Sequence, residues 1–143
     1  MERGYKINQM QKSYIDKLAL IDIKNRKVLS TLSKGKDVWY IPGGKRDTNE
    51  TDHQALIREV KEELSVDLIP GSITYYGTFE AQAHGKPEGT MVRMTCYTGK
   101  FTGILRASAE IAEYRYVNYS WKARSSPVDQ LIFADLYTKG LIG

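Results

Sequence analysis

The feature that most restricts the fold of this chain is an amphipathic segment at residues 51–64. Thr51 is followed three residues later by Gln54, the capping-box spacing that marks the first turn of an α-helix. Leu56, Val60 and Leu64 recur at helical spacing and therefore lie along one stripe of that helix. The segment predicts a helix that begins at Thr51, continues through Leu64 and packs its apolar stripe against a core.

The same helix carries three glutamates, Glu59, Glu62 and Glu63, in an arc of about 100° directly beside the apolar stripe. The simplest interpretation of an acidic run is a solvated helix face. Such a face usually mixes charge signs at the i,i+4 spacing, whereas Glu59 and Glu63 repel each other there. Partly buried carboxylates this close together take up protons or share a cation. Mg²⁺ takes oxygen ligands and is often completed by substrate phosphates, so the pattern favours a metal site.

The rest of the chain predicts a sheet and a second helix. Pro127 in the first turn after Ser126, apolar helical spacing and a stop at Gly140 indicate a closing helix. The strand-like segments are residues 17–25 and 27–33 (a hairpin turning near Asn25), 38–44, the antiparallel pair 72–81 and 90–101, and 113–119. Two helices against a mixed, largely antiparallel sheet is the predicted architecture.

Composition excludes several classes of protein. With 143 residues, 41% hydrophobic and 27% charged, the chain predicts one soluble globular domain over residues 1–143. Cys96 is the only cysteine, which excludes an internal disulfide and is compatible with a reducing cytosol. No apolar run reaches the ~18 residues of a membrane helix, and residues 1–10 lack the apolar core of a signal peptide, so we expect a cytoplasmic protein. The net charge of +4 mildly favours anionic partners.

The segment at residues 42–66 resembles a known signature. From Gly44 it reads Gly, five residues, Glu50, seven residues, then REVKEELSV. This resembles the Nudix box, in which glycine, glutamate, R-E, E-E and apolar residues stand at fixed spacing. Ser65 alone departs from it, since the family has glycine there, a residue that ends the helix in a left-handed conformation. No ligand is lost at that position, so we expect only a local adjustment of the backbone.

The resemblance implies an α/β/α sandwich with a mixed, largely antiparallel sheet. It also implies that Mg²⁺ or Mn²⁺ serves hydrolysis of a nucleoside diphosphate linked to another group. Carried over by position, the metal ligands are the carboxylates of Glu59, Glu62 and Glu63 and the backbone carbonyl of Gly43. Arg58 would orient the neighbouring carboxylates, Glu50 would support the loop and helix, and Lys45 would lie near a substrate phosphate.

One further acidic residue follows from the MutT branch of the family, in which a loop glutamate about six residues before a strand aromatic adds a ligand or base. Counting back from Tyr116 gives Glu110, with Glu113 close by as an alternative. Glu59 and Glu110 both remain open as the proton acceptor for the attacking water. Arg93 is a candidate phosphate contact, against the simpler interpretation of a solvated charge.

The resemblance implies an enzyme, most directly a (deoxy)nucleoside triphosphate pyrophosphohydrolase of the MutT type. The alternative from another class is a Nudix-fold sensor that binds nucleotide without turnover; ADP-ribose, nucleotide sugars and RNA 5′ ends remain open as substrates. In the MutT branch an asparagine before the closing helix reads the guanine edge. This chain has Ser125 and Ser126 there, with Asn118 nearby in a predicted strand. A hydroxyl cannot offer the paired donor and acceptor of an amide, so we expect weak selection for oxidised guanine. The oligomeric state, monomer or homodimer, stays open.

Overall fold

The computed structural model describes residues 11–143. Residues 1–10, the segment that bears on the signal-peptide prediction, lie outside the described residues. In chain order the elements are β1 (Ser13–Leu20), β2 (Ile23–Lys24), β3 (Lys27–Ser33), β4 (Trp39–Tyr40), β5 (Gly43–Gly44), α1 (Asp52–Leu64), β6 (Asp67–Leu68), a 3₁₀ turn (Pro70–Ser72), β7 (Thr74–Gln82), β8 (Thr90–Thr98), β9 (Phe101–Thr102), β10 (Ile111–Val117), a 3₁₀ helix (Tyr119–Arg124) and α2 (Pro127–Thr138).

The strands form a mixed sheet system in which one pairing is parallel. One sheet has the order β5-β1-β8-β7, a second has the order β10-β3-β2 with β4 also paired to β3, and β6 pairs with β9. β1 and β8 run parallel from Ser13↔Thr90 to Leu20↔Tyr97, while the other pairings of the described strands are antiparallel. The predicted antiparallel pair is β7 and β8. The mixed, largely antiparallel character predicted from the sequence is confirmed.

Alternation along β1 places a helix on each face of the sheet. Leu18 and Leu20 belong to the buried cluster that contains the apolar stripe of α1. Ala19 and Ile21 belong to the second cluster, which contains the inward side chains of α2. Burying a side chain of this size stabilises the fold by roughly 1.5–3 kcal/mol. The two clusters confirm the α/β/α sandwich.

The predicted first strand differs in its bounds. It begins earlier, at Ser13, because its first residues pair with β8 even though their side chains are largely exposed. It is also interrupted after Leu20, and a separate short strand forms the hairpin with β3. Asn25 and Arg26, with φ of 52° and 60°, occupy the two-residue turn of that hairpin. The hairpin is confirmed at the predicted place.

The closing segments also differ in detail. β10 ends at Val117, so Asn118 is not a strand residue; its side-chain oxygen accepts a hydrogen bond from the Ser120 N–H at 3.1 Å and caps the 3₁₀ helix. Ser126 has the extended backbone of an N-cap, with Pro127 following, but its side chain makes no capping hydrogen bond. Gly140, with φ of 73°, follows the end of α2 as predicted.

Candidate active site

The glycine pair of β5 brings the loop before α1 into contact with the helix. Gly43 and Gly44 pair with Ala19 and Leu18 of β1. A Cβ atom on Gly43 would collide with the Leu18 carbonyl oxygen, and its φ of 147° disfavours any other residue. A Cβ atom on Gly44 would overlap the carboxylate of Glu59. The Pro-Gly-Gly sequence is therefore needed for close approach of the loop to the acidic face of α1.

The α1 helix begins as predicted. Gln54 N–H donates to the Thr51 hydroxyl at 3.1 Å, and Thr51 N–H donates to the Gln54 side chain at 3.0 Å. Both capping-box bonds fix the first turn, and therefore the rotational position of the glutamates two to three turns later.

Glu63 is the most buried of the predicted acidic residues, with 6% of its surface exposed. Its Oε1 accepts a hydrogen bond from the Gly43 N–H at 3.0 Å. Burial, together with the nearby carboxylates of Glu59 and Glu110, raises the pKa of Glu63 to about 8 against the lowering effect of the Gly43 hydrogen bond. This carboxyl group therefore binds a proton near neutral pH unless a cation compensates it.

Glu59 lies one turn earlier and faces the same space. Burial raises the pKa of Glu59, and the adjacent Arg58 guanidinium opposes that rise. Glu62 and Glu110 raise the pKa of the same carboxyl group through their charges. Glu59 and Glu63 thus share a partly desolvated, acidic environment.

Arg58 connects the acidic helix to the preceding loop. Its guanidinium binds both oxygens of Glu50, with Nε–Oε2 at 2.7 Å and Nη2–Oε1 at 2.8 Å. Nη2 also donates to the Lys45 carbonyl at 3.0 Å, and Nη1 donates to Glu62 at 2.9 Å. These bonds from Arg58 lower the pKa of Glu50 to about 2, with help from the Asp47 N–H. Arg58 and Glu50, for which supporting roles were predicted, thus join the loop to the helix.

A cleft of about 280 Å³ opens between the sheets, β5 and α1. The predicted site residues that line it are Gly43, Lys45, Glu59, Glu63 and Glu110. Glu110 comes from the loop before β10, 47 residues beyond Glu63 in sequence. Glu113, the alternative to Glu110, does not line the cleft and instead pairs with Arg115 at 3.0 Å.

Four predicted site residues do not line the cleft: Arg58 and Glu50, which join the loop to the helix, and also Glu62 and Arg93. Glu62 lies on the outer side of α1, where Arg58 holds its carboxylate. Arg93 and the cleft-lining Met94 are neighbours in β8 and therefore project from opposite faces of the strand. The Arg93 guanidinium pairs with Glu80 at 2.9 Å and with Asp16 at 3.6 Å. Arg93 is therefore better described as part of a surface ion-pair network than as a substrate contact.

Within residues 11–143 no three His, Cys, Asp or Glu side chains converge on one point closely enough to coordinate an ion. Arg58 draws Glu62 away, and Gly43 N–H holds Glu63. The donor chemistry nevertheless fits a hard divalent cation: burial and neighbouring carboxylates raise the pKa of Glu63 and of Glu59, and a bound cation would oppose that rise.

Sequence reasoning missed several residues of the cleft that come from strands. Lys17 of β1, Thr31 of β3, Tyr40 of β4 and Met94 of β8 all contribute to its walls. One signal was available for Lys17. It shares the alternate positions of β1 with Ile15 and Ala19, which point inward, so a lysine there interrupts an apolar face.

Asp129, in the first turn of α2, was also missed. It is fully buried, and its Oδ2 accepts a hydrogen bond from the Ile41 N–H at 2.7 Å, while its Oδ1 has no partner among the described residues. Burial raises the pKa of Asp129 to about 7, against the lowering effect of Ile41 N–H and Lys17. This carboxyl group ties α2 to the short segment between β4 and the glycine pair of β5.

Residues 18–131 match the profile of the family described as NUDIX domain. The chain belongs to the NUDIX domain family. The matched range includes the whole box, all of α1 and the first turn of α2, so it covers far more than the motif. The predicted family is confirmed, and membership indicates an enzyme of the hydrolase class.

Known proteins agree with this assignment. An 8-oxo-dGTP diphosphatase of Proteus vulgaris is 40% identical over 50 residues, which span 35% of this chain and 40% of that protein. The MutT protein of Methanosarcina mazei Go1 superposes with a TM-score of 0.71 at 17% identity, covering 92% of this chain and 99% of that one. The E. coli ORF135 protein superposes with a TM-score of 0.69 at 21% identity, covering 89% and 91%. At these identities the two structures establish the fold.

Neither α-helix in residues 11–143 has the length and apolar composition needed to span a membrane. Cys96 is buried in the core with a free thiol.

Proposed function

We propose that this Nudix domain is a divalent-metal-dependent pyrophosphohydrolase that converts a (deoxy)nucleoside triphosphate into the monophosphate and pyrophosphate. The observation that carries the proposal is the gathering of Glu59, Glu63, Glu110 and the Gly43 backbone around one cleft, with Lys45 at its rim. The activity named for the Proteus vulgaris relative supports the same class of substrate.

The residues that would hold Mg²⁺ or Mn²⁺ are Glu59, Glu63 and Glu62, with the Gly43 carbonyl and Glu110 completing the set. Glu62 joins them once its carboxylate leaves Arg58, a half-exposed ion pair of the kind that contributes little to stability. When bound, the ion neutralises phosphate charge and makes a water more acidic.

The protein's own groups position the reactants and accept a proton. Hydrolysis forms a bond between the water oxygen and phosphorus, breaks the bridging P–O bond and transfers the water proton to a base. Glu59 and Glu110 are the candidates, because both carboxylates face the cleft. Lys45 is suited to hold a phosphate of the pyrophosphate half. The hydrogen bonds of the Arg58 guanidinium to Glu50 and to the Lys45 carbonyl hold the Lys45 backbone in place relative to the glutamates of α1.

The environment of the closing helix supports weak discrimination among bases. The Ser125 hydroxyl donates to the Trp121 carbonyl at 3.1 Å, and the Asn118 side chain caps the 3₁₀ helix. Both groups are therefore engaged within the protein. Ser126 remains, buried and without a hydrogen-bond partner for its hydroxyl among the described residues, but a single hydroxyl cannot make the paired contact of an amide.

The decisive experiment measures phosphate-containing products from a panel of nucleotides, with Mg²⁺, with Mn²⁺ and with chelator. The panel includes the canonical triphosphates, 8-oxo-dGTP, ADP-ribose, nucleotide sugars and 5′-triphosphate RNA. We expect turnover of triphosphates that requires the metal. Turnover confined to ADP-ribose, a sugar nucleotide or RNA would refute the proposed substrate class.

Selectivity is tested by the ratio of kcat/KM values. Buried base-edge hydrogen bonds produce the large ratios among substrates, so we expect values within roughly a hundredfold across the bases. A preference for 8-oxo-dGTP over dGTP of more than about a thousandfold would contradict the interpretation of Ser125, Ser126 and Asn118.

A further inference from the structure

Lys17 lies where two cavities of the protein meet. The acidic cleft has Lys17, Tyr40 and Met94 in its wall, and the same three side chains line a second, smaller cavity of about 60 Å³. The second cavity extends toward the start of α2. Its other walls are apolar at Ile15, Val92, Pro127 and Val128, and the polar side chains that line it include Lys86 and His84.

The ammonium group of Lys17 has no anionic partner within residues 11–143. It forms no ion pair or hydrogen bond with a described residue, and it lies over the Tyr40 ring, 5.6 Å from the centroid. Burial and the charge of Lys45 lower the pKa of Lys17, while Asp129, Glu63 and Glu59 raise it. Two cationic side chains thus face one cleft, an arrangement that an anion between them would relieve.

A purely structural role for Lys17 would be compensation of the buried Asp129. The geometry argues against it, because no Asp129 oxygen lies within ion-pair distance of the ammonium. Asp129 is instead satisfied at one oxygen by Ile41 N–H, and it contributes to neither cavity. Lys17 reaches both cavities and is only half-buried.

We propose that Lys17 is a substrate-binding residue that holds the phosphate remaining with the nucleoside after hydrolysis. This inference rests on the proposed function. The pyrophosphate half of the substrate lies toward Lys45 and the acidic residues, and the nucleoside half lies toward the second cavity. Lys17, at the junction, therefore contacts the phosphate that joins the two halves.

The test uses the two products as separate probes, because their binding requires no turnover. Calorimetric titrations of dGMP and of pyrophosphate, each in the presence of Mn²⁺, are made on the wild type and on Lys17→Met, Lys17→Arg and Lys27→Met. Lys27 is an exposed lysine at the start of β3 and serves as the matched control. We expect Lys17→Met to weaken dGMP binding about tenfold or more and pyrophosphate binding less than twofold. Lys17→Arg keeps the charge and should restore most of the dGMP affinity.

The proposal is overturned if Lys17→Met binds dGMP within twofold of the wild type, or if dGMP and pyrophosphate weaken by equal factors. Equal weakening would mean that Lys17 acts through the fold or the general charge of the cleft. Should Lys17→Met fail to fold, Lys17→Gln is measured instead against the same criteria. A wild type that binds neither product would refute the proposed function itself, a result distinct from the failure of Lys17 alone.

Discussion

The guanidinium of Arg58 binds the carboxylate of Glu50 through two parallel hydrogen bonds of 2.7 and 2.8 Å. This fork crosses from α1 to the loop before it, and the same guanidinium holds the Lys45 carbonyl. The acidic face of the helix and the glycine pair are thereby fixed relative to each other. Neither residue lines the cleft, so both act through the residues they hold.

Breaking the fork should lower activity by misplacing the glutamates. Arg58→Lys retains the charge but cannot make the two parallel bonds, and we expect kcat to fall about 10- to 100-fold, as for other groups that orient metal ligands. Glu50→Gln should have a similar effect. Arg46→Lys, at an exposed pair with Asp52, is the control and should retain full activity. An Arg58→Lys enzyme with wild-type kcat would contradict the positioning role.

Glu63→Gln should abolish metal-dependent turnover and stabilise the metal-free protein. The pKa of Glu63 is raised to about 8 in the folded protein, from 4.5 in the unfolded chain. The contribution of Glu63 to stability therefore falls as the pH rises from 4.5 to 8. Glutamine keeps an acceptor for Gly43 N–H and does not ionise. At pH 8 we expect kcat to fall by orders of magnitude and the free energy of unfolding without metal to rise by roughly 1–3 kcal/mol.

Glu62→Gln provides the comparison for that variant. Glu62 is half-exposed, with 49% of its side chain accessible, so removing its charge should leave the metal-free stability nearly unchanged. Its activity should nevertheless fall, because the residue is assigned to the metal. Thermal unfolding without metal measures the stability, and steady-state kinetics with Mn²⁺ measures the activity. Full activity in both variants would remove the ligand assignment.

Substitutions of Glu110 and Glu113 should have opposite effects on activity. Glu110 lines the cleft and raises the pKa of Glu59 and Glu63 by its charge, whereas Glu113 pairs with Arg115 on the sheet surface. We expect Glu110→Gln to reduce kcat by about 10²-fold or more, in the range of a lost general base or ligand. Glu113→Gln should change kcat less than twofold. Steady-state kinetics on the two variants decides the matter, and an inverted order would show that the loop assignment is wrong.

Asp129→Asn should flatten the pH dependence of stability. Burial raises the pKa of Asp129 in the folded protein to about 7 from its ordinary value of 3.8, so the wild type loses stability as pH rises between these values. Asparagine still accepts from Ile41 N–H and does not titrate. The stability of the variant relative to the wild type should therefore increase by up to about 1.4 kcal/mol per pH unit in this window. Urea unfolding between pH 5 and 7 measures it; parallel profiles would exclude an elevated pKa.

Ser65→Gly should stabilise the fold without changing catalysis. Ser65 ends α1 with φ of 64°, a left-handed conformation that costs a non-glycine residue about 1 kcal/mol. Glycine removes that cost but loses the 3.3 Å contact between the Ser65 and Ser108 hydroxyls and gains unfolded-state entropy. We expect a net gain of roughly 0.5 kcal/mol for Ser65→Gly and a loss for Ser65→Ala, which keeps the Cβ atom. A destabilised Ser65→Gly would mean that the hydroxyl contact outweighs the backbone strain.

Local sequence was sufficient for the features that depend on neighbouring residues. The capping box at Thr51 and Gln54, the acidic arc and the glycine pair were predictable, because helix starts and faces follow from spacing within a few residues. The end of α1 at Ser65 was also predictable from the motif, but the expected adjustment of the backbone is not seen, since Ser65 keeps the left-handed conformation with φ of 64°. The sheet was predicted from β-branched and aromatic segments separated by turn residues, and the layered architecture from the resemblance to the box.

The tertiary structure alone decided which distant groups meet the helix. Lys17 enters the cleft because β1 pairs in parallel with β8 and in antiparallel register with the glycine pair, a register that no local pattern encodes. Asp129 is buried because α2 packs its first turn against Ile41, and Arg93 is removed from the cleft because β8 presents Met94 there instead. Burial and the distances between charges depend on the whole packed core. The elevated pKa of Glu63 and the position of Glu62 outside the cleft therefore followed from folding and not from sequence spacing.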